Sequence, residues 1–226
     1  IENRELIAQR LGGHPLALQM YDEASDLPEA GSDLQQWIKD VVLSNLGEEI
    51  KVLDELSLIP VPIPCEFLQH EHYLFELDDH ALLRWLSAGV ELHHLVRNVR
   101  STMLTKHDYA QAAIYWSQLD GDLARLVEMH HVLNSGGDIE PLLIKNAESL
   151  MVRSSSGLAS LIGDAIYRHP TSNLHRIAAM VAIERGEGDV ASYHLSNCEA
   201  PDLQYSLSLL NGEELEIPKN PDIRLL

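Results

Sequence analysis

His93 and His94 stand side by side in the stretch Val90-Glu91-Leu92-His93-His94-Leu95-Val96-Arg97. An imidazole titrates at about pH 6.5 and donates readily to a phosphate oxygen, and a nearby anion raises its protonated fraction. The chemistry on offer there is recognition of an anion. The plainer alternative is a buried strand end carrying solvated histidines. A second grouping, Gly12-Gly13-His14-Pro15, runs directly into Leu16-Ala17-Leu18. Glycine supplies a left-handed helix stop and proline a preset first turn, so this stretch reads as a junction between two helices. A third, His70-Glu71-His72, has its histidines two apart, on different faces of a helix. With the pairs His93-His94 and His130-His131 it favours chance nickel or zinc capture over a resident metal. Ser154-Ser155-Ser156-Gly157 imitates a phosphate nest, but it precedes a helical pattern and reads as a cap. Cys65 lies among apolar residues and prolines and reads as a small core residue rather than a nucleophile.

The sequence has no Gly-x-x-x-x-Gly-Lys-Ser/Thr loop, and no apolar strand in it ends in paired acids. Without a phosphate cradle and a magnesium ligand, no hydrolysis is expected of this chain, and no catalytic residue is assigned. Its 35 acidic and 16 basic residues leave a formal net charge of −19. That sign repels phosphate backbones, which disfavours a general nucleic-acid binder and leaves room only for a local basic patch. The two cysteines, Cys65 and Cys198, form no closely spaced pair, so neither a zinc framework nor a disulfide framework is indicated. A reduced, cytoplasmic setting is the expectation. No apolar run approaches the length of about 18 residues needed to span a membrane. The chain opens Ile1-Glu2-Asn3, without Met, and reads as a piece of something longer.

The elements that must position these residues are mostly helices, and the expected class is mainly α. Residues 1–47 carry a helix at 3–10, a second from Pro15 and a third at 33–46. Residues 48–105 suggest a winged-helix domain. Its expected parts are a helix at 48–59, a Pro-rich turn at 60–64, a short helix at 65–72 and a third helix at 77–89, stopped by Gly89. A short strand at 90–92, in a wing hairpin that must be short because little chain separates Leu86 from Leu92, and a closing helix to 104 complete it. Residues 106–226 read as helical hairpins punctuated by Gly-Asp turns at Gly121 and Gly137 and by Gly186-Glu187-Gly188-Asp189. The glycine spacings fall near one and three half-repeats of a unit of about 34 residues, which makes the array tetratricopeptide-like (TPR-like). The tail 215–226, with prolines at 218 and 221, is expected to be extended.

Taken in order, these features resemble the STAND family of signal-transducing nucleotide triphosphatases, which includes the NB-ARC proteins and the maltose-regulon activators. Leu11-Gly12-Gly13-His14-Pro15-Leu16-Ala17-Leu18 looks like that family's G-x-P motif in the helical lid, whose proline packs near the adenine. Leu92-His93-His94-Leu95-Val96-Arg97 looks like its M-H-D-L-V-R motif in the winged helix, with Leu92 in place of Met and His94 in place of Asp. The histidine of that motif contacts the terminal phosphate of a bound diphosphate. Residues 107–122, with Ala112-Ala113-Ile114-Tyr115-Trp116, then Glu128-Met129-His130-His131, resemble the helical repeats that follow. The resemblance implies nucleotide contacts by Gly13, Pro15 and His93 in a full-length parent that binds ADP or ATP. It also implies an upstream nucleotide-binding domain and a protein partner on the helical array.

The competing expectation is a DNA-binding winged-helix regulator with a helical effector domain. A winged helix reads the major groove with its third helix. Here that helix offers Arg84 and His80 against Asp78 and Asp79, while Arg97, Arg100 and Lys106 fall on the closing helix. An acidic reading helix in an acidic chain disfavours this alternative, whose candidate DNA contacts are Arg84, Arg97 and Arg100.

Overall fold

The computed structural model describes residues 4–11, 17–18, 21 and 34–212. The chain is mainly α, with one two-stranded sheet among the described residues. It divides into two compact units, Ile1–Ala112 and Ala113–Leu226. The break lies a few residues past the expected domain boundary at 105.

In the first unit, α1 (Arg4–Arg10) matches the expected first helix. The helix expected at 33–46 is not regular. α2 (Leu34–Trp37) passes into a π turn at Ile38–Val42 and a 3-10 turn at Leu43–Asn45. This widening keeps Trp37, Ile38, Val42 and Leu43 all buried. α3 (Ile50–Leu58) follows, and its apolar positions Val52, Leu53 and Leu56 are buried. Pro60, Pro62 and Pro64 then hold the chain extended, and Ile63 forms an isolated antiparallel bridge to Val90.

The short helix expected at 65–72 resolves into two 3-10 turns, Cys65–Phe67 and Glu71–Tyr73. The helix expected at 77–89 is a correction. α4 covers only Leu74–Asp79; Ala81 then takes a positive φ of 55°, and β1 (Leu83–Leu86) pairs antiparallel with β2 (Gly89–Leu92). Helix propensity favours Ala-Leu-Leu-Arg-Trp-Leu, but propensity is a small term that tertiary pairing overrides. Pairing wins because it sets Leu83 opposite Leu92 and Trp85 opposite Val90, burying Leu83, Val90 and Leu92. Gly89 is therefore not a helix stop. Its φ is +134°, and an added Cβ would overlap the Ile63 carbonyl group and the Pro64 nitrogen. Only glycine lets the hairpin approach the Ile63 bridge this closely. α5 (His94–Ser101) closes the module on α3, and α3 also packs on α4 and β2.

α6 (Lys106–Trp116) carries the boundary between the units. Thr105 begins it: its backbone N–H donates to the Asp108 carboxylate at 2.7 Å and its hydroxyl donates to the same oxygen at 2.8 Å. In the second unit, α7 (Asp122–Ser135), α8 (Glu140–Arg168), α9 (Ser172–Glu184), α10 (Gly188–Leu195) and α11 (Pro201–Leu210) pack mostly on their sequence neighbours, while α11 also reaches α9. Gly136 ends α7 in the left-handed region. Its N–H donates to Leu133 and that of Gly137 donates to Val132, the paired bonds of a Schellman stop. The two helices expected at 139–151 and 156–168 are joined in α8 across a break at Ser154, whose φ and ψ are −147° and 37°. α11 was not expected from the pattern; Pro201 and Asp202 mark its first turn. One core cluster, with Met129, Leu143, Leu150, Leu158, Ile162 and Val181 among its members, joins α7, α8 and α9.

Candidate anion site on the hairpin

The hairpin register places Arg84 of β1 directly opposite Glu91 of β2. Arg84 Nη1 lies 3.1 Å from the Glu91 carboxylate, and Arg97 Nη2, from the first turns of α5, donates to it at 3.4 Å. Two guanidiniums thus face one carboxylate, an excess of one positive charge. Arg97 is largely buried, and its Nε–H has no hydrogen-bond partner among the described residues. A buried unsatisfied donor on a cation is costly.

His93 lies within electrostatic reach of Arg84 and Glu91. It is the residue before α5, and its backbone N–H donates to the Leu82 carbonyl at 3.0 Å, extending the β ladder by one bond. The side chain is half-buried. Burial, then the neighbouring Arg84 and His94 charges, hold His93 below the ordinary imidazole range, with Glu91 acting in the opposite sense. The ring is therefore neutral at pH 7, with one N–H donor and one acceptor nitrogen. His94, the first residue of α5, is exposed.

Arg100 belongs to a separate contact. Its Nε and Nη2 donate to the two oxygens of Asp54 at 2.6 and 3.0 Å, tying α5 to α3. Arg84, Arg97 and Arg100 are thus all engaged inside the module. The helix before the hairpin, α4, presents Glu76, Asp78 and Asp79 and no basic residue. Of the residues singled out in the sequence, the structure brings together Arg84, Arg97 and His93. Glu91, which organises them, had no signal of its own beyond its place opposite Arg84, and that became visible only with the hairpin. Gly13 and Pro15 lie outside the described residues.

His70, His72 and His131 each have other neighbours. His70 is hydrogen-bonded to Glu55, which also accepts the Gln69 backbone N–H at 2.9 Å. Burial raises the Glu55 carboxyl above its ordinary range. His72 stacks on Tyr73 with ring centroids 4.1 Å apart. His131 is fully buried in α7, with the Trp116 ring centroid 6.2 Å away, and its pKa is lowered to about 3 by burial first and His130 second. Among the described residues, no group of three or more His, Cys, Asp or Glu side chains is placed to hold a metal ion. Ser154 caps no separate nest; it forms the break in α8. Cys65 is half-buried, and burial raises its thiol pKa, which does not suit a nucleophile.

No family model, curated protein or solved structure matches this chain. Among the described residues, no helix is long and apolar enough to cross a membrane.

Proposed function

We propose that this chain is the nucleotide-sensing and partner-binding segment of a STAND-type signalling ATPase. In this reading residues 48–105 form a winged helix that packs on an upstream nucleotide-binding domain, and the helical array from 106 binds a protein partner. The observation that carries the reading is the anion site on the hairpin. His93 sits at the junction of β2 and α5, beside a guanidinium pair with one excess positive charge. Those donors suit the terminal phosphate of a diphosphate. ADP, held by Gly13, Pro15 and His93, keeps the winged helix clamped, and exchange for ATP releases it. The second unit supports the partner role through large apolar side chains left exposed on α8, namely Ile144, Val152 and Tyr167.

The isolated chain carries out no catalysis in this proposal. In the full-length protein, His93→Ala should speed ADP release. An unchanged ADP off-rate refutes the assignment. The DNA-binding alternative is disfavoured by α4, which presents Glu76, Asp78 and Asp79 and no basic residue, and by Arg100, which is held by both oxygens of Asp54. Salt-dependent retardation of duplex DNA by this chain in a low-salt gel shift would restore that alternative.

A further inference from the structure

The second unit holds a histidine pair unrelated to the hairpin. His175 of α9 is 6 % exposed, and its Nδ1 lies 3.0 Å from the Nδ1 of His194 on α10. At that distance one ring must donate its Nδ1–H and the other must accept with a bare Nδ1, so the two rings hold opposite tautomers. His194 also lines a cavity of about 80 Å³ together with Ile162, Ala178, Val181, Glu187 and Val190. That volume admits water, and with it protons.

We propose that this contact is an acid-operated latch between α9 and the α10–α11 pair. The first added proton goes to the outer Nε2 of the donor ring and leaves the contact intact. The second places hydrogen on both Nδ1 atoms and gives two like charges at van der Waals distance, so the contact cannot persist. Burial, and then His175, hold His194 below the ordinary imidazole range, so His194 is neutral at pH 7. Few charges offset the second proton. From α10 the pair faces Tyr193, with ring centroids 6.3 Å from His175. Glu187, at the start of α10, shares the cavity with His194. On α9 and α11, Arg176 and Asp202 are paired with each other at 2.6 Å. From α8, Glu140 is engaged by Thr171 and Asn173 at the start of α9. Opening would uncover the small apolar cluster of Ala179, Leu195 and Ala200, with Cys198, Leu203 and Leu207 around it.

Amide hydrogen exchange on the whole chain tests this, with rates corrected for intrinsic pH dependence. In a His131→Phe background, which removes the acid response of the α7 ring, exchange in α10 and α11 between about pH 7.5 and pH 5 should rise about tenfold or more relative to α7 and α8. His194→Gln, which keeps a hydrogen-bonding group and cannot charge, should abolish that extra rise. Equal acid sensitivity in all four helices, or an unchanged rise in the variant, overturns the latch. Histidine titration of the unaltered chain by NMR gives an independent reading. Uptake of both protons by the pair without loss of protection in α10 overturns it too.

Discussion

Replacing His131 by Phe should remove much of the acid lability of the second unit. His131 is fully buried, and its pKa of about 3 lies far below the value near 6.5 expected in the unfolded chain. A depressed folded-state value means that the unfolded chain binds the proton first as pH falls. Stability is therefore complete above about pH 6.5 and declines by about 1.4 kcal/mol per pH unit below it. From about pH 7.5 to pH 5 the loss attributable to this one ring is about 2 kcal/mol, and by about pH 3 it reaches about 4 kcal/mol. Phe keeps a ring beside Trp116 but cannot be protonated, so its own cost of fitting is the same at every pH. The informative quantity is the wild-type stability minus that of His131→Phe, from urea unfolding followed by circular dichroism and Trp fluorescence. That difference should fall by about 2 kcal/mol on going to pH 5. The histidine pair on α9 and α10 is present in both proteins and cancels. A difference that stays constant within about 0.5 kcal/mol would refute the assignment of a buried neutral ring.

Two further substitutions probe the hairpin module, alongside the His93 and His194 variants described above. Gly89→Ala adds a Cβ where φ is +134° and the Ile63 carbonyl stands in the way; it should cost about 3 kcal/mol or more, read as a lowered urea midpoint for the first unit. Asp54→Asn removes the charge that receives Arg100 at 2.6 and 3.0 Å; it should cost about 1–3 kcal/mol, and added salt should narrow the gap to wild type.

The helical half of the chain was largely legible because its signals are local. Gly136 and Gly186 each take a left-handed φ at a helix end, and the punctuation read from the sequence marks those ends closely. The serine run at 154 reads as a helix cap, and the backbone does leave helical geometry there. The segment 82–86 was misread because its outcome is decided by a partner. Leu82, Leu83 and Leu86 have the spacing of a helix face, and only pairing with 89–92 turns them into a strand. The candidate site was legible in part for the same reason. His93 was flagged from its own neighbours, whereas Glu91 gained its role from Arg84 across the hairpin and Arg97 along the helix. The buried ring of His131 and the contact between His175 and His194 carry no signature in one dimension. A histidine on an apolar helix face looks alike whether it meets solvent, carbon or another histidine.

The break at Ser154 has a consequence for how the second unit could be assembled. Val152 and Arg153 before it, and Ser156 and Gly157 after it, are exposed. The core cluster nevertheless draws Leu143, Ala147 and Leu150 from one side and Leu158, Leu161 and Ile162 from the other. A peptide bond severed beside Arg153 would cost a few already irregular backbone bonds and leave the buried surface joining the two sides in place. Two pieces divided there keep the buried surfaces that join them. Fragments ending and starting there should find each other in solution and rebuild the fold by complementation, with the severed ends becoming ready points for fusing another domain.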